Sequence, residues 1–296
     1  LLKEIEILKK ALIVLSIEKP NAKKICKEIE AFLSSKGIDS FVYKYDGISH
    51  SPELNEDYDL AISLGGDGTV LFTARYSAPR HIPVFPVNLG RFGFIANIEP
   101  KEWEGELLQL LNGEQALHKR MLLSASIKRK NKEIVKYEAL NDAVVSGSGI
   151  AKLINLDISF NGISFGVFRA DGVIVSTPTG STAYSAASGG PILDPDVSAF
   201  VLTPISPFSL SNRPLVLPSS GQMKIKILPA RVKDIIVSID GQEMVSLQED
   251  DEIIISESPN KVKMAGCSPD NFYKALRSKL GWSGSSSPAD LMQKLN

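Results

Sequence analysis

The chain has 296 residues, 43% of them hydrophobic, enough to bury a large core in one or two domains. Its 33 basic and 34 acidic residues give a formal net charge of −1, without the basic excess of a general nucleic-acid binder. No apolar run reaches the ~18 residues of a membrane helix, Leu1 to Lys10 is too charged for a signal peptide, and Cys26 and Cys267 form no disulfide or metal framework, so the expectation is a cytoplasmic protein with no nucleic-acid or membrane partner.

The first 100 residues alternate between strand and helix patterns. Ala11 to Ser16 (ALIVLS) is a continuous apolar run, as in a strand buried on both faces. A helix is predicted from Ala22 to Ser35, with Ile25, Ile29 and Phe32 at helical spacing and Gly37 as its stop. Phe41 to Tyr45 and Leu60 to Leu64 read as further strands, the latter ending abruptly in Gly65-Gly66-Asp67-Gly68. A helix follows from Thr69 to Tyr76, then a strand over Pro83 to Val87. This order predicts an open α/β sheet, which binds ligands at the C-terminal ends of its strands. After an amphipathic helix over Trp103 to Leu111 the pattern changes to short strands. Examples are Leu122 to Lys128, Leu153 to Phe160, Val173 to Ser176, Lys224 to Leu228, Ile235 to Ile239 and Glu252 to Ser256. Asn161-Gly162 is a hairpin signal, and the region reads as a β-sandwich. Asn271 to Leu280 reads as a last helix, with a mobile Gly/Ser-rich tail from Gly284 to Ser287.

Three segments carry chemistry. In Leu64-Gly65-Gly66-Asp67-Gly68-Thr69 the glycines let a backbone approach a bulky anion, and the following helix aims N–H groups at it. A carboxylate in such a loop has a use in phosphoryl transfer, holding a metal ion or accepting the proton of an attacking hydroxyl. Its structural alternative is a helix cap. The stretch Asp171 to Ser185 holds a turn at Asp171-Gly172, a strand, and breakers at Pro178 and Gly180. Ser181 or Thr182 is then expected to cap a small-residue helix through Ala187, whose hydroxyl-rich start suits a ribose or adenine. Tyr184 either stacks on a base or fills the core. Asn141-Asp142 is either a plain turn or a grip on a ribose diol. Neither G-x-x-x-x-G-K-[ST] nor G-x-G-x-x-G occurs, and His50, His81 and His118 are isolated, so no metal site is read from spacing.

Together, in this order, the three segments resemble the NAD kinase family. The likeness extends to Asn88-Leu89-Gly90-Arg91-Phe92-Gly93-Phe94, Ser211-Asn212-Arg213-Pro214, Asp240-Gly241-Gln242 and the ending Lys279-Leu280-Gly281-Trp282, covering about Lys10 to Trp282. Lipid kinases and phosphofructokinases share the GGDG element, whereas TPTGSTAY is far more specific. The resemblance implies an α/β domain with an open Rossmann-like sheet over residues 1–100, on which 268–296 pack back, and an all-β sandwich over 101–267 that binds NAD. It implies phosphorylation of the adenosine 2′-hydroxyl of NAD by ATP or polyphosphate, with a divalent cation, Mg²⁺ above all, in a homodimer or homotetramer whose subunits share sites. Asp67 would accept the 2′-hydroxyl proton, and Gly65, Gly66, Gly68 and Thr69 would form the phosphate loop. Asn141 and Asp142 would bind the ribose, although many members carry Asn-Glu there and the shorter acid reaches less far. Asp171, Thr179, Thr182, Ala183, Tyr184, Ser185, Ala186 and Ala187 would hold the dinucleotide, with Phe94 on its adenine side. Lys152, Arg169 and Gln242 would add contacts, the first two having solvated strand charges as their plain alternative. A lipid kinase built on the same GGDGT, and an NAD(P) sensor without turnover, are the rival readings. The intact Asp67 counts against the sensor, and the sequence Pro86-Val87-Asn88-Leu89-Gly90 against the lipid kinase.

Overall fold

The computed structural model describes residues 8–48, 57–90, 93–149, 153–230 and 234–282. β1 (Lys10–Ser16), β2 (Asp39–Tyr45), β3 (Leu60–Gly65) and β4 (Val84–Asn88) are parallel, in the order β2-β1-β3-β4. β1 and β3 are apolar throughout because both faces are covered. The pleat sends Ala11, Ile13 and Leu15 towards Ile25, Ile29 and Leu33 of α1 (Ala22–Ser35), and Leu12 and Val14 towards Val70, Phe72 and Ala74 of α2 (Asp67–Ser77). α1 ends as predicted: Gly37 has φ 73° and the N–H of Ile38 returns to the carbonyl of Leu33. From β1 the chain places β2 on one side and β3 on the other, so the order reverses between β1 and β3. Their C-terminal ends, Ser16 and Gly65, therefore border the crevice where such sheets bind ligands. α3 (Trp103–Leu111) buries Trp103, Leu107 and Leu110 in the α1-side core, with the Trp103 ring edge-on to Phe32.

The second half is a sandwich. One sheet is ordered β12-β11-β10-β7-β14-β15, built from β7 (Asp142–Gly147), β10 (Gly172–Ser176), β11 (Ala199–Ile205), β12 (Leu215–Pro218), β14 (Ile235–Ile239) and β15 (Glu243–Leu247). The facing layer holds β5 (His118–Arg129), β6 (Lys132–Ala139), β8 (Ile154–Phe160), β9 (Ile163–Ala170), β13 (Met223–Leu228) and β16 (Glu252–Met264). Between them Val145, Val175, Phe200 and Val237 meet Leu123, Ile158, Ile225 and Ile253. Asn161 (φ 51°) and Gly162 (φ 79°) make the predicted two-residue hairpin between β8 and β9.

The structure departs from the sequence pattern in three places. β6, β7, β9, β11, β12 and β15 lie in the strand-rich region but outside the named runs; β9, the second arm of the Asn161-Gly162 hairpin, is largely exposed and so lacks alternation. β16 does not stop at Ser256. It runs through an irregularity between Glu257 and Lys261 that houses Pro259, and Met264 then pairs parallel with Val84 of β4. One strand thus belongs to both halves and joins them in a single ten-stranded sheet. The expected helix over 181–187 is instead a 3-10 turn, Thr179–Thr182, followed by the four-residue α4 (Tyr184–Ala187). Neither hydroxyl caps it: Ser181 donates to the carbonyl of Pro178, and Thr182 to that of Thr179. The turn packs closely on the neighbouring chain, where a Cβ on Gly180 would lie 2.1 Å from the carbonyl oxygen of Asn141. After Cys267, α5 (Pro269–Leu280) is capped by Ser268, whose hydroxyl accepts from the N–H of Asn271, and ends at Gly281 (φ 61°). The expected tail at 284–287 lies outside the described residues.

Candidate active site

The glycine turn sits where β3 meets α2. Gly65 must lack a side chain, because its Cβ would lie 2.1 Å from Oγ1 of Thr69, which is buried against it. Gly66 is extended (φ −100°, ψ −170°) and Asp67 opens the helix without capping it. The Asp67 carboxylate instead reaches the 93–96 segment, accepting the N–H groups of Phe94 (2.9 Å), Ile95 (3.2 Å) and Ala96 (3.1 Å). A carboxylate has roughly four lone-pair positions, so about one remains for a ligand. The turn lines a cavity of about 530 Å³ with Ser16, Glu18, Lys19, Tyr45 and Gly90. Across Gly90 lies a second cavity of about 610 Å³, between the start of α1, Asn88 and α5. Lys279 of α5 lines it, its Nζ 5.8 Å from the Phe94 ring centroid. Burial holds the Lys279 ammonium below the usual lysine range, and the charges of Asp67 and Glu99 oppose that shift. Only its neighbours in space mark this lysine; helical periodicity carries no such signal.

The sandwich adds a second group of polar residues, tied to the glycine turn through Gln242. Asn141 closes the bend between β6 and β7 and Asp142 opens the central strand β7, both of them buried. They are fixed by Asp240, a hundred residues on. Its buried carboxylate accepts the N–H groups of Leu140 (2.9 Å), Asn141 (2.8 Å) and Asp142 (3.0 Å). Burial, and secondly the charge of Asp240, push the Asp142 carboxyl up to about 7. Asp240 is itself raised by burial, against which the three N–H donors work. Among the described residues Asn141 Oδ1, Ser176 Oγ and Thr179 Oγ1 are buried without a hydrogen-bond partner, each a cost of about 1–3 kcal/mol.

The other expected residues fall into three groups. Phe94, Thr179 and Thr182 share a narrow gap with Arg120, and Tyr184 is 46% exposed rather than filling the core. Ala183 and Ala186 are half-buried and Ala187 is exposed beside it. Ser185 points inward, fully buried and sharing a 2.9 Å hydrogen bond with Thr203. Gln242 is bound to the glycine turn: its Nε2 donates to the carbonyl of Gly68 (2.7 Å) and to the Tyr45 hydroxyl (3.2 Å). Arg169 and Asp171 stand apart, beyond the start of β10, about 16 Å of strand from Ser176. Arg169 is exposed and stacks its guanidinium on the Phe208 ring at 4.9 Å. Lys152 lies outside the described residues.

The candidate site thus holds a glycine turn bearing one carboxylate and, on the other lobe, buried polar groups beside the Asp240-Gly241-Gln242 turn that contacts Gly68. Residues 5–115 match the ATP-NAD kinase N-terminal domain and residues 140–266 the ATP-NAD kinase C-terminal domain. An NAD kinase of Treponema denticola is 97% identical over 281 residues, 95% of this chain and 99% of its own length. One from Treponema pallidum is 49% identical over 93% of this chain and 90% of its own length. Among solved structures, yeast NADH kinase complexed with NADH superposes with a TM-score of 0.85 at 26% identity, covering 96% of this chain and 91% of that one. An Archaeoglobus fulgidus NAD kinase in complex with ATP gives 0.75 at 27% identity, covering 91% and 99%. The chain belongs to the NAD kinase family.

Proposed function

We propose that this chain transfers the γ-phosphoryl group of ATP to the 2′-hydroxyl of the adenosine ribose of NAD, giving NADP and ADP, with Asp67 as the group that receives the hydroxyl proton. The observation that carries this reading is the anchoring of Asp67 by three backbone N–H groups, which fixes one oxygen at the phosphate turn and leaves it room for one more donor. As the ribose oxygen bonds to phosphorus, its proton passes to Asp67 and the bond to the ADP oxygen breaks. Such proton acceptance is worth ~10²–10⁴ in rate. Gly65, Gly66, Gly68 and Thr69 shape the loop for the polyphosphate, and the start of α2 lends its positive dipole end. Asn141 and Asp142 offer acceptors to the ribose, Phe94 and Tyr184 offer rings to the adenine, and Thr179 and Thr182 offer hydroxyls.

The donor set fits a divalent cation carried by the nucleotide rather than caged by protein. Among the described residues no three His, Cys, Asp or Glu side chains converge, and Mg²⁺ commonly relies on substrate phosphates and water. When bound it neutralises charge on the phosphates. The remote Arg169 and Asp171 fit a homodimer or homotetramer in which a second copy brings them to a ligand. Polyphosphate is the alternative donor, and the cytoplasm is the compartment that buried, free thiols at Cys26 and Cys267 suit. No described helix is long and apolar enough to cross a membrane.

The test is NADP formation from NAD, ATP and Mg²⁺, read by a dehydrogenase specific for NADP. Asp67→Asn is expected to lower kcat by ~10²–10⁴ while NAD affinity changes by less than about threefold. Turnover near wild type in that variant removes Asp67 from the proton-accepting role.

A further inference from the structure

Phosphoryl transfer develops negative charge that a cation must offset, yet the turn Gly65-Gly66-Asp67-Gly68-Thr69 carries only a carboxylate. The last helix brings a lysine to its neighbourhood. Lys279 is half-buried, and its Nζ stands 5.8 Å from the ring centroid of Phe94, whose N–H is held by Asp67. Gly90 borders both the cavity that Lys279 lines and the cavity at the glycine turn, so the two are neighbours. The charge of Asp67 acts on the ammonium. Among the described residues, however, no carboxylate comes within ion-pair distance of it. A partly desolvated ammonium with no paired anion is costly, and an anionic ligand would relieve that cost.

What holds α5 also decides where Lys279 stands. Phe272, Ala275 and Leu276 bury one face of the helix. On another face the Tyr273 hydroxyl donates to Oδ2 of Asp194 at 2.5 Å, while Oδ1 of Asp194 accepts the N–H of Asp196 at 2.9 Å. Asp196 in turn accepts from Nη1 of the buried Arg120 at 2.9 Å, and Nη2 of Arg120 donates to the carbonyl of Cys267, just ahead of the helix cap. The N–H of Leu193 donates to the Ser181 hydroxyl at 2.9 Å, inside the stretch expected to hold the dinucleotide. One loop, 193–196, thus grips both that stretch and α5.

We propose that Lys279 is a catalytic cation that stabilises charge on the transferring phosphoryl group, and that the Asp194–Tyr273 latch positions it there. The inference deepens the phosphoryl-transfer reading and rests on it. Lys279 makes and breaks no covalent bond in this role; it lends charge where the transition state needs it. Tyr273 is a positioning residue, because it acts through the helix that bears the lysine.

The experiment compares wild type, Lys279→Met, Tyr273→Phe and the double variant as full chains. No NADP from the wild type would sink the functional reading and this inference with it. Given turnover, Lys279→Met is expected to lose ~10–100-fold in kcat, while the NAD dissociation constant from equilibrium dialysis moves by less than about threefold. Tyr273→Phe removes one hydroxyl and keeps the ring; misplacing the ammonium should cost ~5–20-fold in kcat with the same small change in NAD affinity. Asp194→Ala cuts the latch from its other side and should match it, which decides the matter if the phenylalanine variant fails to fold. The double variant separates positioning from general weakening. With no ammonium left to misplace, its kcat should lie within about twofold of Lys279→Met alone. Losses that multiply in the double variant would overturn the latch. Unchanged kcat in Lys279→Met or in Tyr273→Phe, or a loss confined to NAD affinity, would overturn the proposal while leaving the phosphoryl-transfer reading in place.

Discussion

Replacing Asp142 by Asn should change how the stability of this protein depends on pH. The Asp142 carboxyl is raised from 3.8 to about 7 by burial and by the neighbouring Asp240 charge. That is roughly 3 units, and at 1.36 kcal/mol per unit the ionised form costs the folded state about 4 kcal/mol as an upper bound. The sign follows from proton binding. Between about pH 4 and pH 7 the folded chain keeps a proton that the unfolded chain has lost, so this group lowers stability progressively as pH rises and the full cost is present above 7. An amide at 142 does not titrate. Urea unfolding of both proteins at pH 5, 6, 7 and 8 should therefore show the variant gaining on the wild type by ~2–3 kcal/mol from the lowest to the highest pH. Parallel stability curves would refute the argument that Asp142 holds a proton near neutrality. If its ionised form accepts the ribose hydroxyls, wild-type NAD affinity should also rise through neutral pH and that of Asp142→Asn should not.

Gly180→Ala places a Cβ 2.1 Å from the Asn141 carbonyl oxygen and 2.5 Å from its carbon, both backbone. It should destabilise the fold by ~1–3 kcal/mol or more and weaken NAD binding; a neutral unfolding midpoint would show that the 177–182 turn is not packed on that strand. Lys279→Met keeps the stem of the side chain and removes its charge, so kcat with ATP should fall ~10–100-fold at unchanged unfolding midpoint. Unaltered kcat would place Lys279 outside the charge stabilisation of the transfer. Tyr184→Ala should leave stability within ~1 kcal/mol, because the ring is 46% exposed, while NAD affinity falls about tenfold. An unfolded variant, or one with intact affinity, would return the ring to a packing role.

Much of this molecule was legible in its sequence because the relevant physics is local. ALIVLS and LAISL announce strands covered on both faces, since only two-sided burial favours unbroken apolar runs. Asn161-Gly162 announces a hairpin because few residues adopt φ above zero cheaply. The GGDG turn announces a tight strand-to-helix junction because a glycine backbone can be approached closely, and TPTGSTAY and its companions pointed to the family. What lies far apart in the chain was decided by tertiary structure. Nothing near Asn141-Asp142 says that a carboxylate at 240 holds their N–H groups, or that Asp67 anchors a segment 27–29 residues later. The strand pattern stops at Ser256, yet Pro259 sits in an irregularity that lets β16 continue to Val84 and join the two lobes. Periodicity records which face of an element is buried and turn residues record where the chain bends. Which elements then meet, and hence which charges face each other across the cleft, is set by the packing of whole sheets and helices that the local pattern does not encode.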